Sequence, residues 1–160
     1  MSQRVDSEHS FNREIGRTLG IDFGSKRIGI AVSDSRGSVA SPLVVLQRSG
    51  NTDADHGAIA RLVQDEEAVR IVVGMPTALS GQAGIAATNI RHETDQLRAV
   101  LADLEIVTWD ERMTTAMASR AMTQAGVKAK DQRQQIDKYA AALILQGWLD
   151  QKRLEAGPVG

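Results

Sequence analysis

The stretch LGIDFGSKRIGIAVSD, residues 19–34, decides how the chain is read. Its residues alternate: Leu19, Ile21 and Phe23 share one face, and Gly20, Asp22 and Gly24 share the other. Such a period of two belongs to an extended strand, whose successive side chains point to opposite sides. Ser25, Lys26 and Arg27 then read as a hairpin connection, and Ile28 to Ser33 repeat the pattern of large against small residues. Asp22 is the anomaly. Moving even an uncharged polar group out of water without a partner costs ~2–7 kcal/mol, so a cation, a metal or a nucleophile awaiting deprotonation must compensate for the charge. The glycines on its own side leave space, which a purely structural strand has no reason to do.

Working outward, Asp34 to Gly37 read as a second turn, and Val39 to Leu46 as a third strand that Pro42 assigns to an edge or a break. The rhythm then changes to alternating helix and strand. Asn51, Thr52 and Asp53 are candidate caps for a helix with Ile59, Leu62, Val63 and Glu66 on one side. Arg70 to Gly74 form a short apolar run before Met75 and Pro76, as a parallel strand buried on both faces should. A Gly- and Ser-containing loop over 77–84 leads to a helix carrying Ile90, Leu97 and Leu101, and Glu105 to Trp109 make a fifth strand. Thr114 or Thr115 caps a further helix closed by Gly126; a basic loop with Lys128, Lys130 and Arg133 precedes a last helix over 137–149. This order predicts an α/β fold with a mixed five-stranded sheet, a three-strand antiparallel meander plus two parallel strands, and helices on both faces. Residues 1–16 read as a disordered extension, 17–150 as one domain and 151–160 as a C-terminal tail.

Composition narrows the functional classes. A chain of 160 residues with 42% hydrophobic content suits one domain with its own core. It has no cysteine, which excludes thiolate metal sites, disulfides and cysteine nucleophiles. A net charge of −1 does not advertise a general nucleic-acid coat, so a polyanion would have to be held by local patches. Aromatic content of 3% argues against a base-stacking platform. The polar, mixed-charge start lacks the apolar core of a signal peptide and no apolar run reaches the ~18 residues of a membrane span, so the expected setting is the cytoplasm, with no membrane partner. His9, His56 and His92 are scattered and read as surface histidines, with no triad or zinc constellation.

Three acids come from distant segments: Asp22 in the first strand, Glu111 after the fifth, and Asp137 opening the last helix on the face of Ala141, Ile144 and Trp148. Taken singly, Asp137 reads as a solvated acid at a helix start and Glu111 as a loop acid paired with Arg112. Taken together, three converging carboxylates would repel one another unless a divalent cation sat among them, and an all-oxygen set suits Mg²⁺ or Mn²⁺. Two such ions are a device for in-line attack on a phosphodiester. Lys26 and Arg27 after Asp22, with Lys128, Lys130 and Arg133 before Asp137, are candidate phosphate contacts; the plainer reading is a solvated surface.

The stretches GIDFGSKRIGIAVSD, IVVGMPTALSG, DERMTTAMA and DKYAAALILQGWL occur in order between Leu19 and Leu149, and together they resemble the YqgF/RuvX family of bacterial ribonuclease-H-like nucleases. Met117 and Met122 stand where that family usually carries other apolar residues. The resemblance implies a ribonuclease-H-like fold with the first strand central, and a divalent-metal nuclease with its three acids at Asp22, Glu111 and Asp137. It also implies a nucleic-acid partner: structured RNA, with 5′-end processing of pre-16S rRNA as the leading role, or branched DNA cut by a Holliday junction resolvase. A resolvase needs two sites in one assembly and the RNA reading does not, so across the two readings the expected state is a monomer or a homodimer. Two readings from other classes stand beside these: an actin-like ATP-binding module, whose phosphate hairpin also begins with Asp and Gly, and a non-catalytic ribosome-assembly factor.

Overall fold

The computed structural model describes residues 15–76, 82–110 and 129–156, the side chains of 82–83 and 129–138 excepted. The elements are β1 (Thr18–Phe23), β2 (Arg27–Ser33), β3 (Ala40–Gln47), α1 (Thr52–Asp65), β4 (Arg70–Met75), α2 (Gln82–Val100), β5 (Glu105–Asp110) and α3 (Ala129–Glu155). The five strands form one sheet in the order β3-β2-β1-β4-β5. β1 pairs antiparallel with β2 and parallel with β4, β2 pairs antiparallel with β3, and β4 pairs parallel with β5. The expected meander and its two parallel strands are therefore present, with β1 central. Pro42 is on edge strand β3, opposite Ala31, and the register shifts between Ile30 and Ala31. A residue without an N–H is tolerated at such an irregularity.

Alternation along the strands divides the core in two. Leu19, Ile21 and Phe23 of β1, Ile28 and Ile30 of β2, and Ile71 and Val73 of β4 pack with Ile59 and Val63 of α1 and Leu97 of α2. On the other face, Ala31 and Val72 pack with Ala141, Ile144, Leu145, Trp148 and Leu149 of α3. Helices thus cover both faces. Gly20 is what lets α3 lie so close to β1: a Cβ there would stand 2.7 Å from the Ala141 carbonyl oxygen and 2.8 Å from the Leu145 Cβ. Of the three candidate caps it is Asn51 that caps α1, its side chain accepting from the Ala54 N–H at 3.2 Å.

Three boundaries differ from the sequence reading. α3 begins at Ala129 rather than 137, so Lys130 and Arg133 belong to a helix and not to a loop. The run AKDQRQQI contains no glycine or proline, and most of its residues are good helix formers, so nothing stops the helix there. α3 also continues to Glu155, through what reads as a tail, with Lys152 and Arg153 in the last turn where cations favour the helix dipole. At the other end, Ile15 packs against the α3-side core and its carbonyl accepts from Arg70 Nη1 at 2.7 Å, so the domain takes in Ile15 and Gly16. The expected helix between Thr114 and Gly126, and residues 77–81 of the expected loop, lie outside the described residues; 82–84 of that loop are the start of α2.

Candidate functional site

Asp22 is the penultimate residue of β1, half-buried, and opposite Gly29 of β2. It lies two residues beyond Gly20 and therefore on the same face, the one α3 covers. The last β1–β4 pair is Ile21 with Val73, so the next residue of β4 is Gly74, which pairs with Trp109 of β5. Glycine thus follows the end of the parallel ladder on one side of Asp22 and pairs with it on the other. The carboxylate stands at the carboxyl end of a parallel ladder, where open α/β sheets present their ligand-binding groups.

The direction of α3 decides which helix residue meets this level. Its Trp148 packs beneath the guanidinium of Arg70, 5.0 Å from Arg70 Cζ to the ring centroid, at the start of β4 beside Thr18. Its Ala141 meets Gly20 farther along β1, so α3 runs antiparallel to β1. Asp137 precedes Ala141 by one turn, an axial step of about 6 Å, and Asp22 follows Gly20 by about 6.6 Å in the same direction. The backbone of Asp137 is therefore level with Asp22. It lies well inside a helix that starts at Ala129, which removes the reading of Asp137 as an acid at a helix start.

The other expected residues are distributed as follows. Lys26 is exposed in the β1–β2 turn, and Arg27 is half-buried as the first residue of β2. Lys130 and Arg133 lie in the first turns of α3, with their side chains and that of Asp137 outside the described residues. Glu111 and Lys128 are also outside them; Glu111 is joined directly to Asp110, the last residue of β5. Among the described residues, no three His, Cys, Asp or Glu side chains form a group that could hold a metal ion.

A second cluster was missed. His56, expected at the surface, has 1% of its area exposed. The signal was present: His56, Ile59 and Val63 follow one another at spacings of three and four, the stripe of α1 that faces the core. Its Nε2 is 3.1 Å from Oε2 of Glu93 in α2. The same carboxylate accepts from both Nη atoms of Arg48, at 2.9 and 2.8 Å. The Glu93 hydrogen bond raises the Arg48 pKa above the ordinary arginine value, so the guanidinium is charged at any physiological pH. Arg48 and Glu93 join Phe23, Gly24, Ser25 and Asn89 in lining a cleft of about 390 Å³ at the end of β1.

The sheet order, the acid on the central strand and the long helix antiparallel to that strand define an α/β protein of ribonuclease-H-like fold. Thermus thermophilus RuvC, solved in complex with a Holliday junction substrate, shares that fold, with a TM-score of 0.55 at 13% identity over 86% of this chain and 96% of that one. Residues 16–151 match the RuvX family, described as Holliday junction resolvase, and the chain belongs to that family. Relatives named "Putative pre-16S rRNA nuclease" include a protein of Nocardia farcinica, 44% identical over 91% of this chain and 83% of its own length. Another, from Halalkalibacterium halodurans, is 44% identical over 87% of this chain and 99% of its own length.

Proposed function

We propose that the chain is a divalent-metal-dependent endonuclease that hydrolyses phosphodiester bonds in structured nucleic acid, with the 5′ end of pre-16S rRNA as its substrate. One observation carries the reading: the half-buried Asp22 on the α3 face of the central strand, with glycine opposite it and Asp137 level with it in α3. In this reading Asp22, Glu111 and Asp137 hold Mg²⁺ or Mn²⁺, two ions in all. The donor chemistry fits, because carboxylate oxygens are the ligands hard divalent cations take. The bound ions would activate water and neutralise the leaving oxygen. The chain's own part is to hold the acids rigidly, which the strand and the close α3 contact at Gly20 do for the first of them. Lys26 and Arg27, in and after the turn beyond Asp22, bind phosphates on the substrate side, as do Lys128, Lys130 and Arg133. Membership of the RuvX family over residues 16–151 favours a nuclease over an ATP-binding module or a non-catalytic assembly factor. The proposed setting is the cytoplasm, where ribosomal precursors are processed; no described helix is long and apolar enough to cross a membrane.

The second reading keeps the chemistry and replaces the RNA with four-way DNA, which the family's description favours. Symmetric cutting then requires a homodimer, whereas the rRNA reading is satisfied by a monomer. Cleavage of a labelled precursor 16S leader duplex and a four-way DNA junction, side by side with Mg²⁺, Mn²⁺ or chelator, separates the two. Metal-dependent cutting of the RNA alone, lost in Asp22→Asn, is the expected result. Symmetric cutting of the junction moves the protein to recombination, and no cutting of either overturns the nuclease reading.

A further inference from the structure

Arg48 belongs to none of the motifs that point to the acids, yet it grips the turn that joins Asp22 to the cations Lys26 and Arg27. Its backbone N–H donates to the Lys26 carbonyl at 3.0 Å, and its Nε donates to the Gly24 carbonyl at 2.7 Å. Gly24 is tied inward as well, its N–H lying 3.1 Å from the Asp22 carbonyl oxygen and 2.9 Å from that of Arg27. The far side of the guanidinium is fixed by Glu93 of α2, which in turn meets the buried His56 of α1. The guanidinium also lies 5.7 Å from the centroid of the Phe23 ring. With Nε and both Nη atoms engaged, the side chain has one conformation that satisfies every partner. The pair is largely withdrawn from solvent, at 22% and 12% side-chain exposure, where charge-assisted bonds hold geometry more firmly than at the surface.

We propose that Arg48 is a positioning residue for phosphodiester cleavage: through Glu93 and His56 it anchors the 24–27 turn to α1 and α2, and so sets Asp22 and the cations Lys26 and Arg27 against one another. The cleavage part rests on the nuclease reading above; the anchoring does not. Asp22 precedes Gly24 by only two residues, so play in the turn moves the carboxylate relative to the phosphate contacts. A displacement of about 1 Å at a reacting centre costs on the order of a hundredfold in rate.

Arg48→Lys and Glu93→Gln test this. Arg48→Lys keeps the charge and the backbone bond to Lys26 but removes the Nε bond to Gly24 and the two-pronged grip on Glu93. In both variants, hydrogen exchange of the 24–28 amides should rise about tenfold or more, while the α3 and β4 amides keep their protection. Single-turnover cleavage should fall about ten- to a hundredfold, with substrate affinity within about twofold of wild type. His56→Gln, which retains a donor toward Glu93, should recover most of the rate that His56→Ala loses. Unchanged exchange at the turn overturns the anchoring. Exchange raised evenly over the whole sheet, with cleavage reduced only by the unfolded fraction, makes the cluster structural and overturns positioning. If the wild type cleaves neither RNA nor junction, the nuclease reading fails, and with it the cleavage part; the exchange pattern still decides the anchoring.

Discussion

Asp22 is one carboxylate held by a rigid strand at a point where water reaches it only in part. Replacing it with asparagine keeps the volume and the strand geometry and takes away the negative charge that a divalent cation needs. Asp22→Asn should therefore melt no lower than wild type by circular dichroism, while losing cleavage by more than the roughly 10–100-fold typical of groups that merely support a metal ligand. A fall in both would identify Asp22 as structural. At this scale the sequence is informative where a residue conflicts with its neighbours: the acid among apolar residues is half-buried in β1. It was misread where the residue type suggested solvent: His56 lay on the apolar stripe of α1 all along, but its burial depends on Glu93, thirty-seven residues away, being in place to receive it.

Among the elements, the contact between α3 and β1 matters most to the proposed site. Gly20→Ala would place a methyl group 2.7 Å from the Ala141 carbonyl oxygen, and since that neighbour is backbone the helix must move as a body. The expected cost is about 1–3 kcal/mol in denaturant unfolding, with cleavage reduced as well because Asp137 moves with the helix. Trp148, at the far end of the same interface, is 6% exposed, with Arg70 and Lys152 over its ring at 5.0 and 5.6 Å. Trp148→Ala should cost about 3–5 kcal/mol by the same measurement. It lies at the opposite end of β1, so activity of the folded fraction should change far less than in Gly20→Ala. The antiparallel meander, an edge or break at Pro42 and a capping residue among Asn51 to Asp53 were legible in the sequence, because alternation, proline and capping side chains are local signals; the strand order β3-β2-β1-β4-β5 was not. The start of α3 was not: a cluster of basic residues resembles a loop by charge, although its propensity is helical.

For the whole molecule, a net charge of −1 means that no overall field draws a polyanion in, so the proposed binding rests on a few local cations. Affinity for the leader duplex should fall steeply with salt, and Lys26→Ala should reduce the slope of log K against log salt by about 1, as the loss of one phosphate contact does. An unchanged slope would remove Lys26 from the interface. Chelator should stop cleavage while leaving far-ultraviolet circular dichroism unchanged, because both described cores are closed by apolar contacts and not by the acids.

By itself the sequence determined the mixed α/β class of the fold with its meander of strands, and it marked Asp22 as an acid among apolar residues. Each follows from periodicity or from a residue at odds with its immediate neighbours, and such information is written along the chain. Only the tertiary structure decided that α3 runs antiparallel to β1 and brings Asp137 level with Asp22, and that Arg48, Glu93 and His56 close into one network. The helix direction follows from the packing of Ala141 against Gly20 and of Trp148 against Arg70. The network joins the end of β3 to α1 and α2. Both depend on contacts between residues far apart in the chain, which no local pattern encodes.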